Sequence, residues 1–218
     1  MTPRPIRSAD RNWALFAMAA LALTAGLAGC KINVQKSANG QDKNVQVETP
    51  FGGVNVATNH LTAADVGLPV YPGAKIAQDN QNDKSADVHV GFGKWQMRVR
   101  VVNYSTTDGQ EKVVAFYKKA LGRYGDVIAC QDDSPVGTPT VTSEGLTCSN
   151  KGQPVIQVNG DSASYGTSSG RSGFALEAGS KQHQHIVAFK SSAPGQTLFT
   201  LIEVELPSDM AGGSGKSD

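Results

Sequence analysis

Asp87-Val88-His89-Val90-Gly91-Phe92-Gly93-Lys94-Trp95-Gln96-Met97-Arg98-Val99-Arg100-Val101 alternates apolar and polar side chains on both sides of a Gly-Lys pair. Side chains of an extended chain point to opposite faces in turn, so the pattern describes a hairpin with one face on a core. Val88, Val90, Phe92, Trp95, Met97, Val99 and Val101 make the apolar face. Asp87, His89, Gln96, Arg98 and Arg100 make a face that belongs in water.

Beyond the hairpin the period changes. Asp108 is followed by Glu111 at the spacing of a capping box, and Val113, Phe116, Tyr117, Ala120, Leu121 and Tyr124 recur at helical intervals before Gly125. The spacing predicts one amphipathic helix over 108–125, capped by Asp108 and ended by Gly125. Val127 to Cys130 reads as a returning strand. Two strands, a helix and a strand in that order predict an α+β fold: a mainly antiparallel sheet, one packed amphipathic helix and a strand-rich C-terminal half.

Towards the C-terminus, residues 131–144 read as loop, with short strands at Leu146–Cys148 and Val155–Val158 and a long flexible loop over 159–173. Strands follow at Phe174–Glu177, Gln184–Lys190 and Leu198–Leu206, the last two forming a hairpin about Ala193-Pro194-Gly195. Towards the N-terminus, Val45 and Val47, the turn Thr49-Pro50-Phe51-Gly52-Gly53, and Val54 and Val56 describe another hairpin. A lone hairpin is marginal in water, so it is expected to dock on the main domain or on a partner. Residues 31–44 are polar with few large apolar groups and read as a tether, and Thr62 to Val66 as a helical turn before Pro69. The division is therefore a leader over 1–29, a tether with a short hairpin over 30–60, an α+β domain over 61–207 and a disordered tail over 208–218.

The leader has three zones. Arg4, Arg7 and Arg11 open it against Asp10 alone, Trp13 to Ala25 is apolar except for Thr24, and Leu27-Ala28-Gly29-Cys30 closes it. The apolar run is shorter than the roughly 20 residues needed to cross a bilayer. It suits the core of a secretory signal peptide, about 7–15 residues. The closing residues resemble the lipobox of bacterial lipoproteins, whose small residues let a peptidase reach the backbone ahead of a lipidated cysteine. That resemblance implies cleavage before Cys30 and two or three acyl chains on the new terminus, enough for stable anchoring where one chain is marginal. It places the protein on a cell membrane, facing the periplasm or the exterior. Lys31 stands where some bacteria use Asp for inner-membrane retention, so the outer membrane is favoured where one exists.

Cleavage would remove three arginines and one aspartate, leaving 17 basic and 18 acidic residues in a mature chain of 189. That balance carries no basic stripe and excludes a nucleic-acid binder. With Cys30 committed to lipid, Cys130 and Cys148 form an even pair in an oxidising compartment. A disulfide between them is expected to close a loop of 17 intervening residues, worth about 3 kcal/mol in the chain-entropy picture. A metal or redox pair would want the short C-x-x-C spacing that they lack. Tyr71-Pro72-Gly73-Ala74, with Phe116-Tyr117, Leu121 and Tyr124-Gly125 after it, is similar to the start of uncharacterised secreted bacterial lipoproteins. That likeness spans about a third of the chain and implies an address and a fold without an activity.

Candidate chemistry is sparse. Gly166-Thr167-Ser168-Ser169-Gly170 matches the nucleophile elbow in form, but no amphipathic helix follows it. His183 and His185 share one strand face and are the residues able to hold a metal ion together, though a site needs a third ligand and His60 and His89 are unplaced. Asp79-Asn80-Gln81-Asn82-Asp83 loosely resembles a calcium loop but has Lys84 and Val90 where that loop wants Gly and Glu. Asp132 and Asp133 are adjacent and point apart on an extended chain. Arg98, Arg100 and His89 on one sheet face suggest either an anion patch or a water-facing strand side. The leading expectation is a lipid-anchored envelope protein without enzymatic activity or cofactor, acting as a structural or binding module. Its partners are the membrane, through lipid on Cys30, and an envelope protein or glycan. A lipoprotein binding a metal or small ligand through the His183/His185 face comes second, and a hydrolase third.

Overall fold

The computed structural model describes residues 30–36, 43–77, 84–148, 154–159, 162–167, 173–190 and 194–208, with 154–159 and 162–167 described by backbone alone. Strands run over Lys31–Lys36 (β1), Lys43–Thr49 (β2), Gly52–Thr58 (β3), Lys75–Ile76 (β4), Ser85–Phe92 (β5) and Trp95–Thr106 (β6). A helix, Gln110–Leu121 (α1), leads to Ile128–Gln131 (β7) and Ser134–Pro135 (β8). Then come Pro154–Asn159 (β9), Ser162–Thr167 (β10), Phe174–Gly179 (β11), His183–Lys190 (β12) and Thr197–Glu205 (β13). Eleven of these strands join one sheet in the order β1-β2-β3-β5-β6-β13-β12-β11-β7-β8, with β4 on β6, while β9 and β10 pair separately.

Turn chemistry sets the local registers. The quoted hairpin pairs Ser85 with Val102 through to Phe92 with Trp95, folding about Gly93-Lys94. Gly93 takes φ 60° there, a left-handed conformation that costs glycine little. In the same way β2 and β3 fold about Pro50-Phe51, and β12 and β13 fold about Pro194. The pairing of β3 with β5, from Gly53↔Gly91 to Thr58↔Ala86, bonds the early hairpin into the main sheet.

The expected α+β balance is overturned: among the described residues thirteen strands stand against one short α-helix, so the fold is sheet-dominated. Two segments account for much of the difference. Lys31–Lys36, read as tether, is a strand because Ile32 and Val34 stand opposite Val47 and Val45. Ser162–Thr167, read as loop, pairs with β9. Leu146–Cys148 forms no strand. The helix is also shorter than 108–125. Gly109, which has no side chain to cap with, occupies its N-cap, while the Asp108 carboxylate one residue earlier accepts from the Tyr71 hydroxyl at 2.8 Å and from Lys112 Nζ at 3.1 Å. Past Leu121 the chain tightens into a 3-10 turn over Gly122–Tyr124.

The main core lies under α1. Val113, Tyr117 and Leu121 recur every four residues, so they share one stripe, and all three are fully buried. They belong to one cluster with Val102 and Tyr104 of β6, Phe199 and Leu201 of β13, Val187 of β12 and Leu176 of β11. A 3-10 turn over Ala63–Val66 adds Ala63 and Val66 to the same cluster. No helix among the described residues is long and apolar enough to cross a membrane.

Candidate functional site

On the face that carries α1, the sheet runs past the helix, and its side chains there change from apolar to charged. The register places Asp87, Arg100, Glu203 and His185 in one row across β5, β6, β13 and β12. The next row holds His89, Arg98, Glu205 and His183. Arg98 grips Asp87 with two bonds, 2.9 and 2.6 Å long. Arg100 pairs with Glu203 Oε2, reaches Glu205 at 3.5 Å and donates to the Asp65 carbonyl at 2.9 Å. Both guanidinium groups are thus held by acids of this chain. The Arg face expected in water is partly enclosed, since the Arg100 side chain is only 19% exposed.

His183, His185 and Glu203 meet at the end of this ladder. Glu203, 6% exposed, places Oε1 2.8 Å from His183 Nε2. His185, 2% exposed, places Nδ1 3.2 Å from the Val66 carbonyl. Its ring stacks on Tyr124, with centroids 3.6 Å apart, and lies 4.8 Å from the His183 ring. Burial pushes the His185 pKa below its usual 6.5, which favours the neutral ring. A carbonyl only accepts, so in the neutral ring the proton sits on Nδ1 and Nε2 keeps its lone pair. That buried Nε2 has no hydrogen-bond partner among the described residues.

Close backbone approach sets Gly67 against this cluster. Gly67 turns with φ 69°, and a Cβ there would stand 2.6 Å from the Tyr124 hydroxyl oxygen and 3.1 Å from His185 Cε1. Arg123 and the Tyr124 hydroxyl both donate to the Gly67 carbonyl, and Arg123 lies over the Tyr124 ring.

His183 and His185, paired from the sequence by their i, i+2 spacing, do come together. Among the described residues, His183, His185 and Glu203 form the one group of three or more potential metal ligands, with ligand atoms within 4.8 Å of one another. Glu203 is the member of that group that the sequence did not single out. Its signal is the turn: reflecting residue 185 about Pro194 reaches residue 203. His89 shares the face but lies three strands from His183, about 14 Å at the usual spacing, and instead bonds Gln96 at 2.7 Å.

The other candidates separate. Cys130 and Cys148 form a disulfide with Cα atoms 5.5 Å apart, buried beside Ile128. Cys30 is a free, exposed thiol immediately ahead of β1. Asp132 and Asp133, with φ 49° and 62°, make the turn between β7 and β8, and Asp132 accepts from the Gly173 amide at 2.7 Å. Ser168 and the Asp79–Asp83 stretch lie outside the described residues. The next described element after Ser168 is strand β11, where a nucleophile elbow would have a helix. No family model, curated protein or solved structure matches the chain.

Proposed function

We propose that this chain is exported, cut before Cys30 and anchored by lipid on that residue. Its sheet domain then works at a bacterial membrane, facing the periplasm or the exterior, as a non-enzymatic binding or structural module. The observation that carries the reading is the order of basic Arg4, Arg7 and Arg11, the apolar run Trp13 to Ala25, and Leu27-Ala28-Gly29-Cys30. The Cys130–Cys148 bond supports it, since such bonds persist in oxidising compartments. So does the exposure of Cys30, which leaves an acylated terminus free to enter a bilayer. Lys31 favours the outer membrane of a cell that has one.

The test is expression of the full chain in a bacterium fed a labelled fatty acid. The wild type should take up label, lose about 3 kDa of leader (29 residues) and sediment with membranes. Cys30→Ser should remain unlabelled and uncut. Label that survives the substitution, or wild-type protein in the cytosol with its leader attached, would overturn the reading.

A further inference from the structure

We propose that His183, His185 and Glu203 bind one divalent transition-metal ion of the zinc class, with a coordination position left open towards solvent. The site is formed by this side-chain cluster alone and does not depend on what happens at Cys30.

Three features point to an ion. The first is the unsatisfied Nε2 of His185. A polar atom shut away from water without a partner costs free energy, and native proteins leave few of them. An ion accepting that lone pair removes the penalty. The second is the support around each donor. Metal-ligating histidines commonly give their other ring proton to a carbonyl, as His185 does to Val66, and ligating carboxylates are held by further hydrogen bonds, as Arg100 holds Glu203 Oε2. Arg100 thereby leaves Oε1 directed at His183. The third is reach. Ligand atoms around tetrahedral zinc stand about 3.3 Å apart, given bonds of about 2.0–2.1 Å. Oε1 and His183 Nε2 are already 2.8 Å apart, and the cluster's span is 4.8 Å. His183, with a side chain 51% exposed, has the freedom to close the remainder.

The donor set also selects among ions. Two imidazoles and one carboxylate suit zinc, copper, nickel or iron, whereas calcium and magnesium want several oxygens. Arg100 further cancels the one negative charge that would attract a hard cation. Three protein ligands leave a fourth position for water or for a group brought by a partner. Because His183 is the exposed ligand, that position opens on its side.

The experiment uses untagged full-length protein, stripped with chelator and titrated with zinc chloride or cobalt chloride. Calorimetry and the visible spectrum of bound cobalt are the readouts. Wild type should bind one ion per chain, and the ion should raise its melting temperature. His183→Ala removes an exposed ligand and Glu203→Gln a charged one, and each should weaken binding by at least about 10-fold. Circular dichroism of both variants checks that the fold persists. A wild type that binds neither ion, or folded variants that bind as tightly as wild type, would overturn the proposal. Cys30→Ser should bind the ion like wild type, so loss of anchoring and loss of the metal site are separate outcomes.

Discussion

At the scale of single residues, Gly67 and Asp108 have the most to say. Gly67 combines a left-handed backbone with contact to Tyr124 and His185. A side chain there adds about 1–2 kcal/mol of backbone cost and displaces the Tyr124 ring that roofs His185. Gly67→Ala should lower the melting temperature by several degrees; an unchanged melt would refute the close approach. Asp108 is held below its ordinary value of 3.8, first by the Tyr71 hydroxyl and then by Lys112. A depressed carboxylate stabilises the fold fully above its unfolded value, and that contribution is lost as pH falls through the folded one. Asp108→Asn should therefore flatten the fall of melting temperature on acidification below about pH 4. A profile parallel to wild type would count against the Tyr71 bond.

At the scale of elements, legibility follows the turns. Gly93-Lys94 and Pro194 centre their hairpins, so local registers, and with them the meeting of His185 and Glu203, are readable once the turn is placed. Long-range neighbours have no such marker. Nothing local to Arg98–Thr106 announces that Thr197–Glu205 lies beside it, and so the ladder of Arg100 on Glu203 stays hidden. The helix was legible by its period but not at its ends: Gly109 takes the N-cap, and Asp108 bonds Tyr71 instead. Its buried stripe yields a direct test. Leu121→Ala should cost about 2–5 kcal/mol by leaving a cavity, while exposed Lys118→Ala should stay within about 0.5 kcal/mol. Equal denaturant midpoints for the two would contradict the packing of α1.

At the scale of the molecule, the disulfide and the order of the sheet matter most. Cys130 and Cys148 tie β7 to the loop that follows β8. Removing both sulfurs, as Cys130→Ala with Cys148→Ala, should cost about 3 kcal/mol, or roughly 6–12 °C in melting temperature. A melt indifferent to the change would show that the loop is held by other contacts. The fold class is set at this scale and is hidden along the chain: one helix and a few strands look balanced in sequence, whereas in space eleven strands gather into one layer. The path through that layer has a further effect. From β6 the chain crosses by way of α1 to β7, and the gap between them is filled only by β11, β12 and finally β13. Until those late residues arrive, α1 lacks most of its floor, since Leu176, Val187, Phe199 and Leu201 are all still to come. A nascent polypeptide with this wiring stays loose while it is being made. The export proposed above would call for that looseness, and here the seam that locks the two halves together closes last.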